Sequence, residues 1–273
     1  MSAELSSMIP ELLRIAQEAG AIAMRGYRRA DIRVNKKGAI DLVTEFDLAS
    51  EEHIVTQLGR SFPGVAIVGE EGHDSTSSKT GELTFYVDPI DGTTNFAHGH
   101  PFFCVSLGLC RDGAPLAGVI VAPALFLHWT GVVGQGAFRN GVQCLVSDVV
   151  LPNDALCATG FGYQVVGSQD DNLREFALVQ SRVQAVRRCG AAALDLALVA
   201  DGTYDAYWEF MLQPWDMAAG AALVLAAGGR VSTFELTAVD ARRGACIASN
   251  GHLHAALAEL IREARAGRPV PVR

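Results

Sequence analysis

The sequence predicts an α/β protein, and three observations support this class. Short apolar segments rich in β-branched and aromatic residues, such as 65–68 and 83–87, are typical of buried strands. Segments with apolar residues at helical spacing, such as 9–28, alternate with them. Acidic residues follow the strands, at the edge where α/β sheets bind their ligands. With 273 residues, the chain is long enough to bury a sizeable core.

The N-terminal part is predicted to contain two helices with a short strand between them. Apolar residues recur at helical spacing over 9–28, which indicates a helix that packs on the core. Residues 32–35 alternate like a strand, and a second helix begins at Asp47. Because aspartate is a favoured N-cap, capping alone would explain Asp47, and a further role stays open.

Two acidic residues follow the next predicted strand. Residues 65–68 form an apolar strand, and Glu70 and Glu71 come directly after it. Adjacent acids at a strand end are usually part of a solvated turn. Neighbouring strands of an α/β sheet present their ends together, however, so these acids can also belong to a ligand site. The polar stretch 73–81 is predicted to be a mobile loop beside that site.

The chain is organised around the segment 88–96, whose sequence is DPIDGTTNF. The apolar run before it predicts a buried strand that ends at Asp88, because Pro89 cannot donate to a sheet ladder. Asp91 is then predicted to cap the free amides at the start of a helix. A strand, a turn and a capped helix would explain this segment without any function.

The chemistry of this segment also suits a ligand. Asp88 and Asp91 are hard oxygen donors of the kind that Mg²⁺ takes in small number, with positions left for water and phosphate. Free amides beside them would form an anion site. A cation site next to an anion site describes a place that can hold a phosphate ester.

The rest of the chain continues the α/β pattern. An Asn140-Gly141 pair signals a hairpin turn. Small residues at 190–193 open a helix, where they serve close packing or let a ligand approach the backbone. The predicted strands are 102–107, 117–121, 156–158 and 204–209, and the predicted helices are 171–183, 214–228 and 253–264.

The composition argues against several classes of function. The net charge is −8 and the 22 lysines and arginines are scattered, so no nucleic-acid partner is expected. The N-terminus lacks the features of a signal peptide and no apolar run reaches membrane-spanning length, so no membrane is expected. The six cysteines lack CxxC spacing, which is typical of a reduced, cytoplasmic protein.

Four acids share one property, although each has a simpler explanation by itself. Asp216 stands at a predicted helix start, where capping would again explain it. Together with Glu70, Asp88 and Asp91, it completes a set of carboxylates at strand ends or helix starts. A two-metal or three-metal phosphoryl site needs such a set, because its metals clamp the attacking and leaving oxygens.

Several motifs resemble those of the inositol monophosphatase family of lithium-sensitive sugar phosphatases, and the segment 187–195 resembles its bacterial branch. They are Asp41-Leu-Val-Thr-x-x-Asp47, Gly69-Glu70-Glu71, DPIDGTTNF, Trp215-Asp216-Met-Ala-Ala-Gly and Ala248-Ser249-Asn250-Gly251. The resemblance implies one domain over 1–273, layered as an α-β-α-β-α sandwich of the inositol monophosphatase and fructose-1,6-bisphosphatase type. Its N-terminal half, about 1–145, would carry the metals, and its C-terminal half, about 146–273, would complete the pocket.

The resemblance also implies a set of metal ligands. Glu70, Asp88 and the backbone carbonyl of Ile90 would hold a first Mg²⁺. Asp88, Asp91 and Asp216 would hold a second, and Glu70 would reach a third, weaker ion through water. Two or three Mg²⁺ ions per active site are therefore expected.

The same resemblance implies the catalytic residues of a phosphatase. Thr93, hydrogen-bonded to Asp47, would activate the metal-bound water that attacks phosphorus, with Glu70 assisting. The amides of Gly92 and Thr93 would cradle the phosphate. No phosphoenzyme is needed, because no side chain here resembles an activated nucleophile.

The substrate implied by the resemblance is a small phosphorylated polyol or sugar, such as inositol 1-phosphate. Glu209 lies seven residues before Asp216, where inositol-specific members accept hydrogen bonds from ring hydroxyls. The backbone of Ala192 would border this pocket, and Asp216 would face it from the metal side. Ala191 occupies a place where many relatives carry Ser or Thr, which leaves inositol recognition open.

Two alternatives stay open. The first is a relative specialised for fructose 1,6-bisphosphate, histidinol phosphate or 3′-phosphoadenosine 5′-phosphate. The second is a regulatory protein that binds the RNA-synthesis or ribosome-assembly machinery, although the retained motif acids argue against a purely binding role. By resemblance, we also expect a homodimer and inhibition by lithium.

Overall fold

The computed structural model describes residues 2–36, 42–76, 81–162 and 171–266. Asp41, the first residue of one family motif, lies outside these ranges. The same holds for residues 77–80 of the polar stretch that the sequence predicts as a loop. The side chains of residues 2, 3 and 36 are also left undescribed.

The N-terminal half is built on a seven-stranded sheet. Two of its neighbouring strands are parallel, and the other pairs are antiparallel. A short antiparallel pair, β1 (Val34–Lys36) and β2 (Leu42–Thr44), lies apart from it. The sheet runs in sequence order through β3 (Ala66–Gly69), β4 (Leu83–Asp91), β5 (Cys104–Arg111), β6 (Ala114–Ala122), β7 (Leu127–Val132), β8 (Gly136–Arg139) and β9 (Val142–Cys144). The helices are α1 (Ser2–Met24), α2 (Glu45–Ser61) and the short α3 (Thr93–Ala97).

The C-terminal half carries a five-stranded mixed sheet in the order β11-β10-β12-β14-β13. Its strands are β10 (Leu156–Thr159), β11 (Ala185–Arg187), β12 (Ala206–Phe210), β13 (Arg230–Ser232) and β14 (Ala245–Ser249). Its helices are α4 (Leu173–Gln180), α5 (Ala192–Ala200), α6 (Pro214–Ala226) and α7 (His254–Arg265). Single 3₁₀ turns lie at Pro123–Leu125, Pro152–Asp154 and Ala241–Arg243.

The elements stack in five layers. Helices α1 and α2 pack on the outer face of the seven-stranded sheet through residues such as Leu12 and Ile54. Helices α5 and α6 fill the space between the two sheets, where alanines allow close approach. Helices α4 and α7 cover the outer face of the five-stranded sheet. The predicted α-β-α-β-α layering is therefore confirmed.

The division into domains stays a prediction. The alanine-rich α5 and α6 bury apolar side chains against both sheets, among them Leu196 and Leu223. This shared core supports the prediction that the two halves form one domain. None of the described helices is long and apolar enough to cross a membrane. The six cysteines, all within the described ranges, form no disulfide.

The predicted end of the central strand is wrong. Strand β4 continues through Pro89 to Asp91, because Pro89 lies in an irregularity between the Asp88–Ser106 and Asp91–Cys104 pairs. A missing amide is tolerated at such a bulge. The Asp88 carboxylate accepts the next amide, that of Ile90, at 3.0 Å.

Candidate active site

One cavity of about 340 Å³ opens between the two halves of the chain. It lies beside the ends of β3 and β4 and the starts of α5 and α6. Nine of the residues singled out by the sequence line it, namely Glu70, Asp88, Ile90, Asp91, Gly92, Thr93, Ala192, Glu209 and Asp216. Asp47 does not line it, but lies directly behind Thr93.

The acid cluster, which we define as Glu70, Asp88, Asp91 and Asp216, occupies one end of this cavity. Strands β3 and β4 are parallel, so their carboxyl ends bring Glu70 beside Asp88. Asp88 is 2% exposed. Burial and then the negative charges of the other three members raise the pKa of Asp88 well above its usual range, and Asp88 also shares a hydrogen bond with Glu70.

Asp91 joins the two halves of the molecule. Its carboxylate accepts hydrogen bonds from the amides of Ala192 at 3.1 Å, Ala193 at 2.8 Å and Leu194 at 3.4 Å. The prediction that Asp91 caps the helix following it is wrong, because α3 has Gly92 at its N-cap without a side-chain bond. Asp91 instead serves the first turn of α5. Burial raises the pKa of Asp91 to about 6, and these amides oppose the rise.

Asp216 belongs to the acid cluster and also forms a hydrogen bond that caps helix α6. It is the third residue of α6 and accepts the amide of Gln213 at 2.6 Å in a capping box. Burial, with the charge of Asp91, raises the pKa of Asp216 well above its usual range. The capping interpretation and the site interpretation are therefore compatible at this position.

A divalent cation fits the acid cluster by the chemistry of its donors. Buried carboxylates with like-charged neighbours are unfavourable by themselves and are neutralised by protons or by a metal. Among the described residues, no group of three or more His, Cys, Asp or Glu is arranged to hold a metal ion as it stands. The Asp91 and Asp216 carboxylates accept the amides of Ala193 and Gln213. An ionised carboxylate has about four lone-pair sites, so these hydrogen bonds leave room for a cation.

A threonine and a buried aspartate lie beside the acid cluster. Thr93 Oγ1 is 3.1 Å from Asp47 Oδ1 and 3.1 Å from the carbonyl oxygen of Ile90, and it can donate its one proton to either. Asp47 does not begin α2 as predicted. It is the third residue of that helix and closes a capping box with Thr44. Burial raises the pKa of Asp47 above its usual value, against its hydrogen bonds.

Gly92 fills a position that only glycine suits. Its φ is +91°, in the left-handed region, and a Cβ there would meet the carbonyl oxygens of Phe102 and Gly190 at 3.1 and 3.2 Å. The amides of Gly92 and Thr93 open a helix, where the first amides have no intrahelical acceptor. They lie against the cavity, next to the acid cluster.

Glu209 lies on strand β12 of the C-terminal half and lines the same cavity. It is 8% exposed and accepts a hydrogen bond from the Tyr207 hydroxyl, two residues earlier on the same face of the strand. Gly160 leaves the space for it, since a Cβ there would overlap the Glu209 carboxylate at 2.0 Å. Burial raises the pKa of Glu209 to about 7, against the Tyr207 hydrogen bond.

Sequence reasoning missed two residues that hold the site together. Glu51, a buried acid on α2, accepts the amides of Glu71 at 2.8 Å and His73 at 3.3 Å, and thus fixes the turn that carries Glu70. The sequence could have indicated Glu51, because it lies four residues after Asp47 and therefore on the same, buried face of the helix. Asn95 donates to the carbonyls of Phe102 at 2.7 Å and Cys189 at 2.8 Å. No local pattern indicates that second contact.

The five-layer fold and the buried acids beside a polar cavity define a class, the layered α/β phosphatases. A protein-family model described as the inositol monophosphatase family matches residues 4–266. The chain therefore belongs to the inositol monophosphatase family, as its motifs predict.

Curated relatives agree with this assignment. The chain is 41% identical to Nus factor SuhB of Pseudomonas aeruginosa over 250 residues, which cover 90% of this chain and 92% of that protein. It is 38% identical to the inositol-1-monophosphatase of a Synechocystis species over 234 residues, or 84% of this chain and 80% of that protein. The predicted enzyme class, a phosphatase, is confirmed by this family.

Solved structures have the same fold. An inositol monophosphatase from Anabaena aligns with a TM-score of 0.85 at 35% identity, covering 95% of this chain and 97% of that one. The extragenic suppressor protein SuhB from Bartonella henselae aligns with a TM-score of 0.86 at 36% identity, covering 93% and 98%.

Proposed function

We propose that this chain is a Mg²⁺-dependent phosphomonoesterase that hydrolyses inositol 1-phosphate or a similar polyol or sugar monophosphate. One observation carries the proposal. The acid cluster, Gly92 and Thr93 at the start of α3, and the buried Glu209 all line one cavity of about 340 Å³. The first two suit a phosphate with its cations, and the third suits a hydroxyl-bearing ring.

The metal ligands follow from the family pattern and the donor set. Glu70, Asp88 and the carbonyl of Ile90 would hold one Mg²⁺, and Asp88, Asp91 and Asp216 a second. A third, weaker ion would reach Glu70 through water. Bound Mg²⁺ would polarise the phosphate ester and lower the pKa of a nearby water.

The chain itself would take up the proton of the attacking water. Thr93 Oγ1 lies 3.1 Å from Asp47 Oδ1, so the hydroxyl can pass its proton to Asp47 while it receives one from water. The raised pKa of Asp47 makes its carboxylate a better proton acceptor than an exposed aspartate. Water attacks phosphorus, the bond to the ester oxygen breaks, and that oxygen leaves with a proton from solvent.

The alcohol part of the substrate would face Glu209 and Ala192. An ionised Glu209 accepts hydrogen bonds from ring hydroxyls, so that a substrate without hydroxyls would leave this buried charge with fewer donors than it can accept. Ala191, which is buried beside Ala192, offers no hydroxyl of its own. The absence of the hydroxyl that Ser or Thr would supply at position 191 favours a site that accepts several polyols over one restricted to inositol.

Phosphate release tests the proposal directly. Purified protein would be given inositol 1-phosphate, fructose 1,6-bisphosphate, histidinol phosphate and 3′-phosphoadenosine 5′-phosphate, with Mg²⁺ or with EDTA. We expect Mg²⁺-dependent release that is fastest with the polyol or sugar phosphates. Release that is equal in EDTA would contradict the metal dependence, and a preference for the nucleotide would contradict the substrate class.

The name of one relative supports a second candidate function. Nus factor SuhB is 41% identical to this chain, which favours a regulatory role in RNA synthesis. A protein that bound RNA polymerase but released no phosphate with Mg²⁺ would support that role instead. The homodimer, the cytoplasmic location and the inhibition by lithium stay predictions.

A further inference from the structure

Arg188 is a cation in the wall of an otherwise acidic cavity. It lines the same cavity as the acid cluster, together with Phe161. Its guanidinium carbon lies 5.8 Å from the centre of the Phe161 ring, a cation–π contact. The sequence suggests no difference between Arg187 and Arg188, yet Arg187 does not line the cavity and its guanidinium contacts the carbonyl of Val186.

The backbone next to Arg188 is fixed to the elements that carry the acid cluster. Asn95, two residues after Thr93, donates to the carbonyl of Cys189 at 2.8 Å. The amide of Ala192 donates to Asp91 at 3.1 Å. Gly190 leaves space for the guanidinium, because a Cβ there would lie 3.0 Å from Arg188 Nη1. The backbone that follows Arg188 is therefore held by two hydrogen bonds, one to Asn95 of α3 and one to Asp91 of the acid cluster.

The charge of Arg188 has no carboxylate partner among the described residues: its recorded contact there is the Phe161 ring. Its field reaches Glu209 and Asp195, where it lowers the pKa of each against the effect of burial. Guanidinium groups recognise phosphate and carboxylate in a bidentate manner. An unpaired one at the wall of a substrate cavity is therefore suited to an anion.

We propose that Arg188, supported by Phe161, is a specificity-determining residue that binds a second anionic group of the substrate. Among the phosphate esters that the site accepts, it would then favour those with a second anionic group, such as a polyol or sugar bisphosphate, with one phosphate at the acid cluster and the other at Arg188. This inference rests on the proposed function. Only the first phosphate is hydrolysed, and the product leaves with the second ester intact.

A different role for Arg188 would predict different results. If it only keeps Glu209 ionised, its removal raises the pKa of Glu209 and shifts the pH profile for every substrate alike. If it also binds an anion, its removal affects substrates that carry a second anion more strongly than those that do not. Matched substrates separate the two roles.

The experiment compares fructose 1-phosphate with fructose 1,6-bisphosphate in the full-length protein with Mg²⁺. The variants are Arg188→Ala, Arg188→Lys and the neighbouring control Arg187→Ala. We expect Arg188→Ala to lower kcat/KM for the bisphosphate by about 10- to 100-fold, mostly through KM, because a hydrogen bond to a charged group is lost. For the monophosphate we expect a clearly smaller loss, which reflects only the weaker ionisation of Glu209, so the ratio of the two kcat/KM values falls by about fivefold or more. Arg188→Lys should recover part of the loss, and Arg187→Ala should resemble the wild type.

Equal losses on both substrates would overturn the inference and leave Arg188 as a partner of Glu209. If no phosphoester is hydrolysed at all, the proposed function fails, and binding still tests Arg188. Trp215 lines the cavity, so that tryptophan fluorescence reports on the titration of fructose 1,6-bisphosphate. Weaker binding by Arg188→Ala than by Arg187→Ala would support the anion site, and equal binding would refute it.

Discussion

Two groups of acids in this molecule have different surroundings. Asp201, whose side chain is 1% exposed, accepts hydrogen bonds from Trp129 at 2.9 Å and from Arg139 at 3.1 Å. Asp205 accepts the Leu156 amide at 2.6 Å. These acids have donors of their own and stabilise the fold.

The acid cluster differs because its members act on one another. The charges that raise the pKa of Asp88 belong to Glu70, Asp91 and Asp216. Burial of like charges costs free energy unless a cation or a proton offsets it. Donors alone do not separate the two groups, since Asp91 and Asp216 also accept backbone amides. The mutual repulsion of like charges is what marks the acids that are kept for a ligand.

The largest effect is expected where the acid cluster loses its central charge. Asp88→Asn should reduce phosphate release by about 1,000-fold or more, because the proposed ligand of both cations loses its charge. The metal-free variant should melt at the same temperature as the wild type or higher, since a repulsive charge is gone. Steady-state kinetics and thermal unfolding in EDTA measure the two effects. Comparable turnover in the variant would refute the role of Asp88 as a shared ligand.

A smaller loss is expected beside the acid cluster. Thr93→Val keeps the shape of the side chain and removes the hydroxyl that contacts Asp47. We expect kcat to fall about 100-fold, the usual effect of losing a proton-transfer group, with little change in Mg²⁺ affinity. Kinetics at saturating Mg²⁺ and a Mg²⁺ titration separate these quantities. A variant that loses Mg²⁺ affinity instead would place Thr93 among the metal-site residues.

Removal of an acid that stabilises the fold, such as Asp201, should lower stability and leave turnover nearly unchanged. Asp201→Ala removes the acceptor of the buried Trp129 indole N–H, and should lower the free energy of unfolding by about 2 kcal/mol, the cost of an unsatisfied buried donor. The Arg139 side chain is 41% exposed, so the loss of its ion pair adds little. The value of kcat for the folded variant should remain within about twofold of the wild type. Urea unfolding gives the first quantity, and kinetics well below the melting temperature gives the second. A large fall in kcat without loss of stability would contradict the division between the two groups of acids.

The smallest effect concerns pH. The pKa of Glu209 is raised from its usual 4.5 to about 7, so the folded state binds this proton more tightly than the unfolded state. Stability of the metal-free protein should therefore fall as pH rises from about 4.5 to about 7. Glu209→Gln should flatten this part of the profile. Melting temperatures measured across that range in EDTA test this, and a wild-type profile that rises with pH there would contradict it.

The sequence was sufficient for those parts of the site that depend on local pattern. Acids at strand ends and helix starts predicted that Glu70, Asp88 and Asp216 would lie together, because strand ends meet at one edge of a sheet, and all three line one cavity. The layered fold followed from the family motifs. These features rest on short-range spacing, which a sequence displays directly.

Other parts of the site depend on contacts between distant segments. The partners of Asp91 are amides about 100 residues later, so local reasoning assigned its carboxylate to the wrong helix. The role of Asn95 and the difference between Arg187 and Arg188 have the same origin. Pro89 remained within its strand because a bulge removed the need for its amide. In each case tertiary packing decided what the local pattern left open.

The central claim is that the acid cluster exists to bind divalent cations, and calorimetric titration with Mg²⁺ tests it most directly. Metal-free wild type and Asp88→Asn would be titrated at a pH above 7, where competing protons are fewest. The account predicts saturable binding by the wild type and loss of most of that binding in the variant. Equal Mg²⁺ binding by both proteins, or none by the wild type, would contradict it.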